Sequence, residues 1–385
     1  MQTELIESLF STYKESTLNH RYITNKHIEP LLENMAHKVQ METLGHSVLN
    51  RPIYGIKIGT GSKRILMWSQ MHGNESTTTK ALFDLLNTLF DENSSVSHIL
   101  NACTLYIIPI LSPDGANAYT RINANHIDLN RDAQDLTQPE SKVLRAAFNA
   151  FKPHYCYNLH GQRTIFSAGK TNNPATISFL APAQDEACTI TPNRKRVMEV
   201  IAVMNEALQA VIPNHVGVYD DAFNINCVGD AFQCENVPTI LFEAGHSPND
   251  YGREETRRLI YMSYIASLDY ISKNEVSGAY YEPYLSIPEN EKLFLDIIIK
   301  NAKIGRGKEA IITDIGILFQ EKLIDNKVQF VPKVEKIENL DSYFAHKTIQ
   351  ANKLEVMDGD GELLKVDYEN VFVIMNNEKI LLIPK

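Results

Sequence analysis

Apolar positions at helical spacing open the chain. Leu5, Leu9, Phe10 and Tyr13 recur through residues 4–14, and Ile28, Leu31, Leu32 and Met35 through 28–37, so each stretch predicts a helix with one buried face. The period then changes. Residues 39–44 and 53–58 alternate apolar and polar side chains about a turn over 45–52, the pattern of a half-buried hairpin. Residues 64–70 are mostly apolar and predict a buried strand, which runs into His72-Gly73-Asn74-Glu75. Residues 77–90 then return to helical spacing with Leu82, Leu85, Leu86 and Leu89 on one side. The alternation continues with strands at 105–110, 154–159 and 239–242 and helices at 139–151, 194–211 and 253–271. Strands alternating with helices predict an α/β layer on a central sheet.

Residues 274–290 break the pattern with Gly, Pro and tyrosines expected on the surface, and read as a linker. Beyond them 310–319, 328–331, 353–357, 362–366 and 371–375 predict short strands, with Asp358-Gly359-Asp360-Gly361 as a hairpin turn. Asp358 and Asp360 lack the spaced oxygen donors and closing glutamate of a calcium loop, so the turn reading is the stronger. The expected organisation is a large α/β domain over 1–273, a linker over 274–290 and a small β-rich domain over 291–385.

Composition narrows the class. The 385 residues are 44% hydrophobic and 22% charged, with a net charge of −10. That is an ordinary globular mix, and its sign argues against a nucleic-acid or anionic-membrane surface. No leader-like segment opens the chain and no apolar run is long enough to cross a bilayer. The five cysteines form no C-x-x-C pair and read as reduced thiols, so the cytoplasm is the expected compartment. Oligomeric state is not legible.

The candidate chemistry lies at strand ends, where α/β sheets bind their ligands. His72 and Glu75 share a turn that enters a helix and can point at one centre; both are ordinary zinc ligands. A catalytic zinc needs a third protein ligand, and His160 supplies it at the end of strand 154–159, followed by Gly161, which lets the backbone come close. Taken singly, each of these is more simply a surface turn or a satisfied rim histidine. Ser112-Pro113-Asp114-Gly115 follows the strand at 105–110, and Arg121, Asn130 and Arg131 follow in turn. Two arginines and an asparagine beside a crevice suit recognition of a carboxylate, although Arg121 and Arg131 could equally pair with Asp128 and Asp132. Glu243 ends the apolar strand 239–242, where a carboxylate is costly unless paired or working; beside a metal it suits a general base. Asn193-Arg194-Lys195-Arg196 reads as a solvated helix face.

In this order, and from Leu44-Gly45-His46-Ser47 with Arg51-Pro52-Ile53 through HGNE, SPDG, DLNR and the Leu-His and Glu strand ends, the motifs over roughly residues 20–272 resemble the zinc metallocarboxypeptidases, whose type member is carboxypeptidase A. The resemblance implies a three-layer α/β/α domain on a mixed sheet and one zinc ion per chain, held by His72, Glu75 and His160. It implies hydrolysis of the C-terminal amide bond of a peptide with a free carboxylate, through a zinc-bound water activated by Glu243. Arg121 would stabilise the oxyanion, and Asn130 and Arg131 would hold the terminal carboxylate. Tyr219, the only tyrosine between His160 and Glu243, would be the closing tyrosine. The serine in SPDG departs from the family's more usual asparagine. Asp230 or Asp221 could favour a basic terminal residue, though an acidic loop in an acidic chain is the simpler reading.

Two rivals stand beside this one. An N-acyl amino acid deacylase of the aspartoacylase and succinylglutamate desuccinylase type shares the metal triad and a β domain after the glutamate. A non-catalytic binding protein on the same fold predicts a lost ligand or base, and none is missing.

Overall fold

The computed structural model describes residues 3–384. Its first strands are β1 (Gln40–His46), β2 (Pro52–Ile58), β3 (Lys63–Ser69), β4 (Cys103–Ile108) and β5 (Tyr155–Gly161). The two-residue β6 (Ser167–Ala168), β7 (Ile177–Leu180), β8 (Val216–Val218) and β9 (Thr239–Ala244) follow. All but β6 join one eight-stranded sheet in the order β1-β2-β4-β3-β5-β9-β7-β8. The sheet is mixed: β3 lies parallel to β4 and β5, and β5 parallel to β9, while β1, β2 and β7 pair antiparallel to β2, β4 and β9.

Buried strands put successive side chains on opposite faces, and here both faces are covered. Ile65 and Met67 of β3 face one core, filled by helices α1 (Thr3–Tyr13), α2 (Asn25–Met35) and α3 (Thr77–Phe90). The short α4 (His98–Ala102) and α5 (Pro113–Ala118) come next, then α6 (Pro139–Phe151), α7 (Pro192–Gln209), α8 (Val228–Cys234) and α9 (Glu254–Lys273). Residues of α7 and α9 complete the first core. Leu66 and Trp68 face the second, where Phe148 of α6 and Phe232 of α8 stack at 4.0 Å. The result is three layers, α/β/α.

The chain then returns along the molecule. β10 (Asn290–Glu291) pairs with β6, and β11 (Phe294–Ile304), β12 (Ile311–Ile324), β13 (Lys327–Glu338) and β14 (Phe344–Gln350) form a second sheet in the order β13-β12-β11-β14. A third sheet holds β15 (Val356–Met357), β16 (Phe372–Met375) and β17 (Glu378–Leu381). The chain therefore ends in a β-rich region.

Several local expectations need correcting. The 274–290 stretch contains a 3-10 turn at Glu282–Ser286, and Tyr284 is buried there, its hydroxyl accepting from the Ala181 amide. Residues 362–366 make only an isolated bridge through Leu363 to Met357, and β11 is a full strand that the pattern did not predict. The 358–361 turn forms as expected, with the Asp358 carboxylate accepting from the Asp360 and Glu362 amides. Asn193 and Arg194 are buried rather than solvated; Arg194 donates to the Ala181 carbonyl and pairs with Asp221 at 2.6 Å. All five cysteines are free, Cys103 and Cys156 fully buried. No helix among the described residues is long and apolar enough to cross a membrane.

Candidate metal centre and substrate crevice

The crevice opens where β3, β4, β5 and β9 end. After β3, Gln70 adopts a left-handed φ of 44° and turns the chain; its carboxamide donates to the Gly73 carbonyl and fixes the turn. A Cβ on Gly73 would lie 1.9 Å from the Gly115 carbonyl carbon, so only glycine lets the HGNE and SPDG turns touch. Asp114 of the second turn accepts from Arg51 at 2.5 Å and from the Leu49 amide at 2.9 Å, which ties in the entry hairpin. The motifs that follow one another in sequence thus form one bonded unit in space.

His72, Glu75 and His160 converge. His72 Nδ1 lies 3.0 Å from one Glu75 oxygen, His160 Nδ1 lies 3.0 Å from the other, and the two imidazole nitrogens are 3.1 Å apart. His72 Nε2 lies 2.9 Å from the Asp128 carboxylate, which can accept only a proton from that nitrogen; in the neutral ring this tautomer turns the Nδ1 lone pair inward. Ligand atoms about 2.0–2.1 Å from a tetrahedral zinc would stand about 3.3 Å apart, so the spacing and the donor set both fit that ion. Three donor groups gathered at this separation would otherwise crowd lone pairs together at a cost. Among the described residues this is the one such group of His, Cys, Asp and Glu side chains.

The charges follow from the geometry. Burial disfavours charge on Glu75, yet His72 and His160 outweigh it and hold the carboxylate well below its usual range. Asp128 is likewise held low by His72 and Arg121 against the cost of burial. Glu243 goes the other way. It sits beside His160 in the β5–β9 register, half-buried, with Oε2 out of solvent and without a hydrogen-bond partner. Burial first, and the Glu75 charge second, push its carboxyl well above the ordinary range.

The sequence left Arg121 and Arg131 each with two readings, and the structure divides them. Arg121 is exposed and pairs with Asp128 at 3.1 Å and with Glu75 at 3.4 Å. Arg131 is exposed, donates only to the Asn130 carbonyl, and has no ion pair among the described residues. Asn130 is buried, and its side-chain oxygen accepts from the Val228 amide at the start of α8. Tyr219 packs edge-on against Phe166 at 5.3 Å; burial and the nearby Glu243 and Glu75 raise its phenol above the usual range. All eight predicted site residues line one cavity of about 690 Å³. Asp230 lines it too, pushed up to about 6 by burial, whereas Asp221 is taken by Arg194.

Gly161 differs from expectation. A Cβ there would meet Glu75 at 3.5 Å, an ordinary contact; what the residue contributes is its amide, which donates to Glu75 at 3.0 Å. Two supporting residues were missed. Asp128 orients His72, but an aspartate in a polar loop carries no such signal. Arg253, fully buried with φ 59°, donates to the Ala244 carbonyl at 2.7 Å and the Gln162 carbonyl at 2.9 Å. It fastens the ends of β5 and β9 together and so fixes Glu243 relative to His160.

Comparison with known proteins agrees with this geometry. The family profile described as zinc carboxypeptidase matches residues 24–175, which takes in the entry hairpin, His72, Glu75, Arg121, Asn130, Arg131 and His160. Carboxypeptidase 2 of Trichophyton rubrum is 27% identical over 115 residues, 29% of this chain and 21% of that protein. The gamma-D-glutamyl-L-diamino acid endopeptidase 1 of Lysinibacillus sphaericus is 37% identical over 87 residues, 20% of this chain and 22% of that protein. The chain thus spans only about a fifth of the length of these relatives. Among solved structures, a Burkholderia cenocepacia metallo-carboxypeptidase superimposes with a TM-score of 0.52 at 19% identity, over 65% of this chain and 69% of that one. The carboxypeptidase A of Helicoverpa armigera gives 0.50 at 16% identity, over 74% and 80%. Residues 24–175 thus match the zinc carboxypeptidase family profile, and the chain shares the fold of solved carboxypeptidases.

Proposed function

We propose that the protein is a zinc-dependent metallocarboxypeptidase that hydrolyses the C-terminal amide bond of peptides bearing a free carboxylate. The observation that carries this is the inward-facing His72, Glu75 and His160 donor set in one cavity with an unpartnered Glu243 and an unpaired Arg131. A zinc ion held by the three ligands would supply Lewis-acid polarisation of the scissile carbonyl and of the attacking water. Glu243, beside His160 in the same cavity, would take the proton from that water and pass it to the leaving amine. Arg121 donates to the developing oxyanion, which requires it to turn from Asp128 toward the substrate. Arg131 and the Asn130 amide group hold the terminal carboxylate and set the register, and Tyr219 closes on the bound residue.

Residues 1–273 form the catalytic domain in this reading, 274–290 the linker, and 291–385 a separate β domain. The five free thiols favour the cytoplasm as its compartment. The Lysinibacillus relative, named for a γ-D-glutamyl bond, keeps cell-wall peptides among the candidate substrates. One observation favours the deacylase alternative: residues of the second sheet also line the cavity. The test is release of the terminal amino acid from a peptide, its amidated counterpart and an N-acyl amino acid, with zinc content measured on the same sample. Cleavage of the free peptide alone supports the proposal. Cleavage of the N-acyl amino acid alone, or absence of bound zinc, overturns it.

A further inference from the structure

The second sheet does more than follow the catalytic layer. Phe319, Gln320 and Glu321 of β12 and Phe330 of β13 line the same cavity as the three metal-binding side chains and Glu243. We propose that this β12–β13 hairpin is a fixed wall on the amino side of the scissile bond, and that it restricts the enzyme to short peptides of about three residues or fewer. The proposal rests on the carboxypeptidase reading for the direction in which substrate lies.

Direction comes from the carboxylate grip. Asn130 is bonded to the start of α8 and Arg131 to the Asn130 carbonyl, while the hairpin lines the same cavity elsewhere, so a terminal carboxylate held by this pair leaves the rest of the peptide to run past Glu243 toward β12. The wall is anchored at several points. Glu321 takes the guanidinium of the buried Arg21 at 2.9 Å and the hydroxyl of Tyr119. Asp296 of β11, 1% exposed, accepts from the Phe319 amide at 2.7 Å, the Tyr251 hydroxyl at 2.8 Å and the Thr164 hydroxyl at 3.2 Å. Tyr251 packs on both Phe319 and Phe330 at 5.2 Å. Swinging the hairpin away would strip the buried Arg21 and Tyr119 of their shared acceptor and Asp296 of one of its three donors, at about 1–3 kcal/mol each, so it is a wall and not a lid.

Its chemistry is that of a subsite. Gln320 is half-buried, lines the cavity, and its carboxamide makes no side-chain hydrogen bond among the described residues. It is free to bond a peptide backbone while the rings contact a side chain. The cavity of about 690 Å³ lies within the usual range for a small ligand, about 300–1,000 Å³.

The test is a set of peptides with one C-terminal dipeptide and amino-terminal extensions of increasing length. Two readouts are taken on the full-length zinc protein: kcat/KM, and Kd by calorimetry on the Glu243→Gln variant. We expect kcat/KM and affinity to fall about tenfold or more beyond the third residue. Phe330→Ala should narrow the long-to-short ratio severalfold, and Gln320→Ala, a smaller truncation at a half-buried position, serves if the first variant does not fold. Equal kcat/KM at every length, or an unchanged ratio in a folded variant, overturns the proposal. Short peptides that bind tighter than long ones without being cleaved support the wall and defeat the carboxypeptidase reading. Equal binding without cleavage defeats both.

Discussion

Glu243 at the end of β9 and Asp296 at the start of β11 are both acids withdrawn from water, and burial raises both carboxyls. They differ in what surrounds them. Asp296 is met by an amide and two hydroxyls, and its cost is offset by the elements it joins. Glu243 has an oxygen with no partner and a second carboxylate, Glu75, beside it. A buried acid that is satisfied holds a fold together; one left unsatisfied beside a cavity stores the free energy that a reaction can use. The same division separates the unpaired Arg131 of the crevice from the Asp296 anchor of the wall, which is met by three donors.

The sharpest way to break this comparison is to neutralise each acid. Glu243→Gln should lower kcat/KM by about 10³-fold while zinc content stays at one per chain and stability changes by about 1 kcal/mol or less. Activity within a few-fold of the wild type would remove the base from Glu243 and with it the functional meaning of the missing partner. Arg131→Ala comes next. It should cost about 10²-fold toward peptides with a free carboxylate and leave amidated peptides unaffected. An equal loss toward both would make Arg131 a structural residue of the loop.

How much of this was legible follows the same line. His72 and Glu75 were readable because they share one turn, and His160 and Glu243 because each ends an apolar strand. The three-layer core was readable from the change of period between strands and helices. The wall was not. Glu321 finds its partners 300 and 202 residues away in sequence, at Arg21 and Tyr119, and no local pattern encodes that. β11 was missed because Asp296 and Lys300 interrupt its apolar run. Both are satisfied in place, Asp296 by three donors and Lys300 by Asp314 at 2.9 Å, so the polar interruptions do not break the strand. Arg194 was misread for a related reason: its guanidinium is buried, but its bonds are to carbonyls that a sequence does not display.

On the wall side the expected effect is on stability. Asp296→Ala leaves the Phe319 amide and the Tyr251 and Thr164 hydroxyls without their acceptor and should cost about 3 kcal/mol in urea unfolding. Should the loss be under about 1 kcal/mol, water would have replaced the carboxylate, and the claim that Asp296 fixes the hairpin would fall.

The smallest effect concerns pH and the groups packed around that acid. His246 and His346 face each other at 4.3 Å between β9 and β14, with Tyr251, Phe294 and the charge of Arg253 around them. His346 donates from Nε2 to the Thr164 carbonyl at 2.8 Å, and burial lowers its pKa to about 4; burial and the facing His346 lower His246 well below the usual value. Both histidines are therefore neutral in the fold, and the unfolded chain takes up their protons first. Their contribution is present above about pH 6.5 and is lost as pH falls toward 4, at up to about 1.4 kcal/mol per pH unit for each group. Asp296, raised to about 6, works in the opposite sense, since the folded state protonates first as pH falls from 6 toward 3.8. His346→Phe keeps a ring stacked on Phe294 and removes one titration. The loss of stability between pH 6 and 4.5 should then be about 2 kcal/mol smaller than in the wild type, and Asp296→Asn should make it larger by a similar amount. Unfolding measured at the two pH values decides it: parallel pH dependence in all three proteins would mean that neither group titrates within the wall.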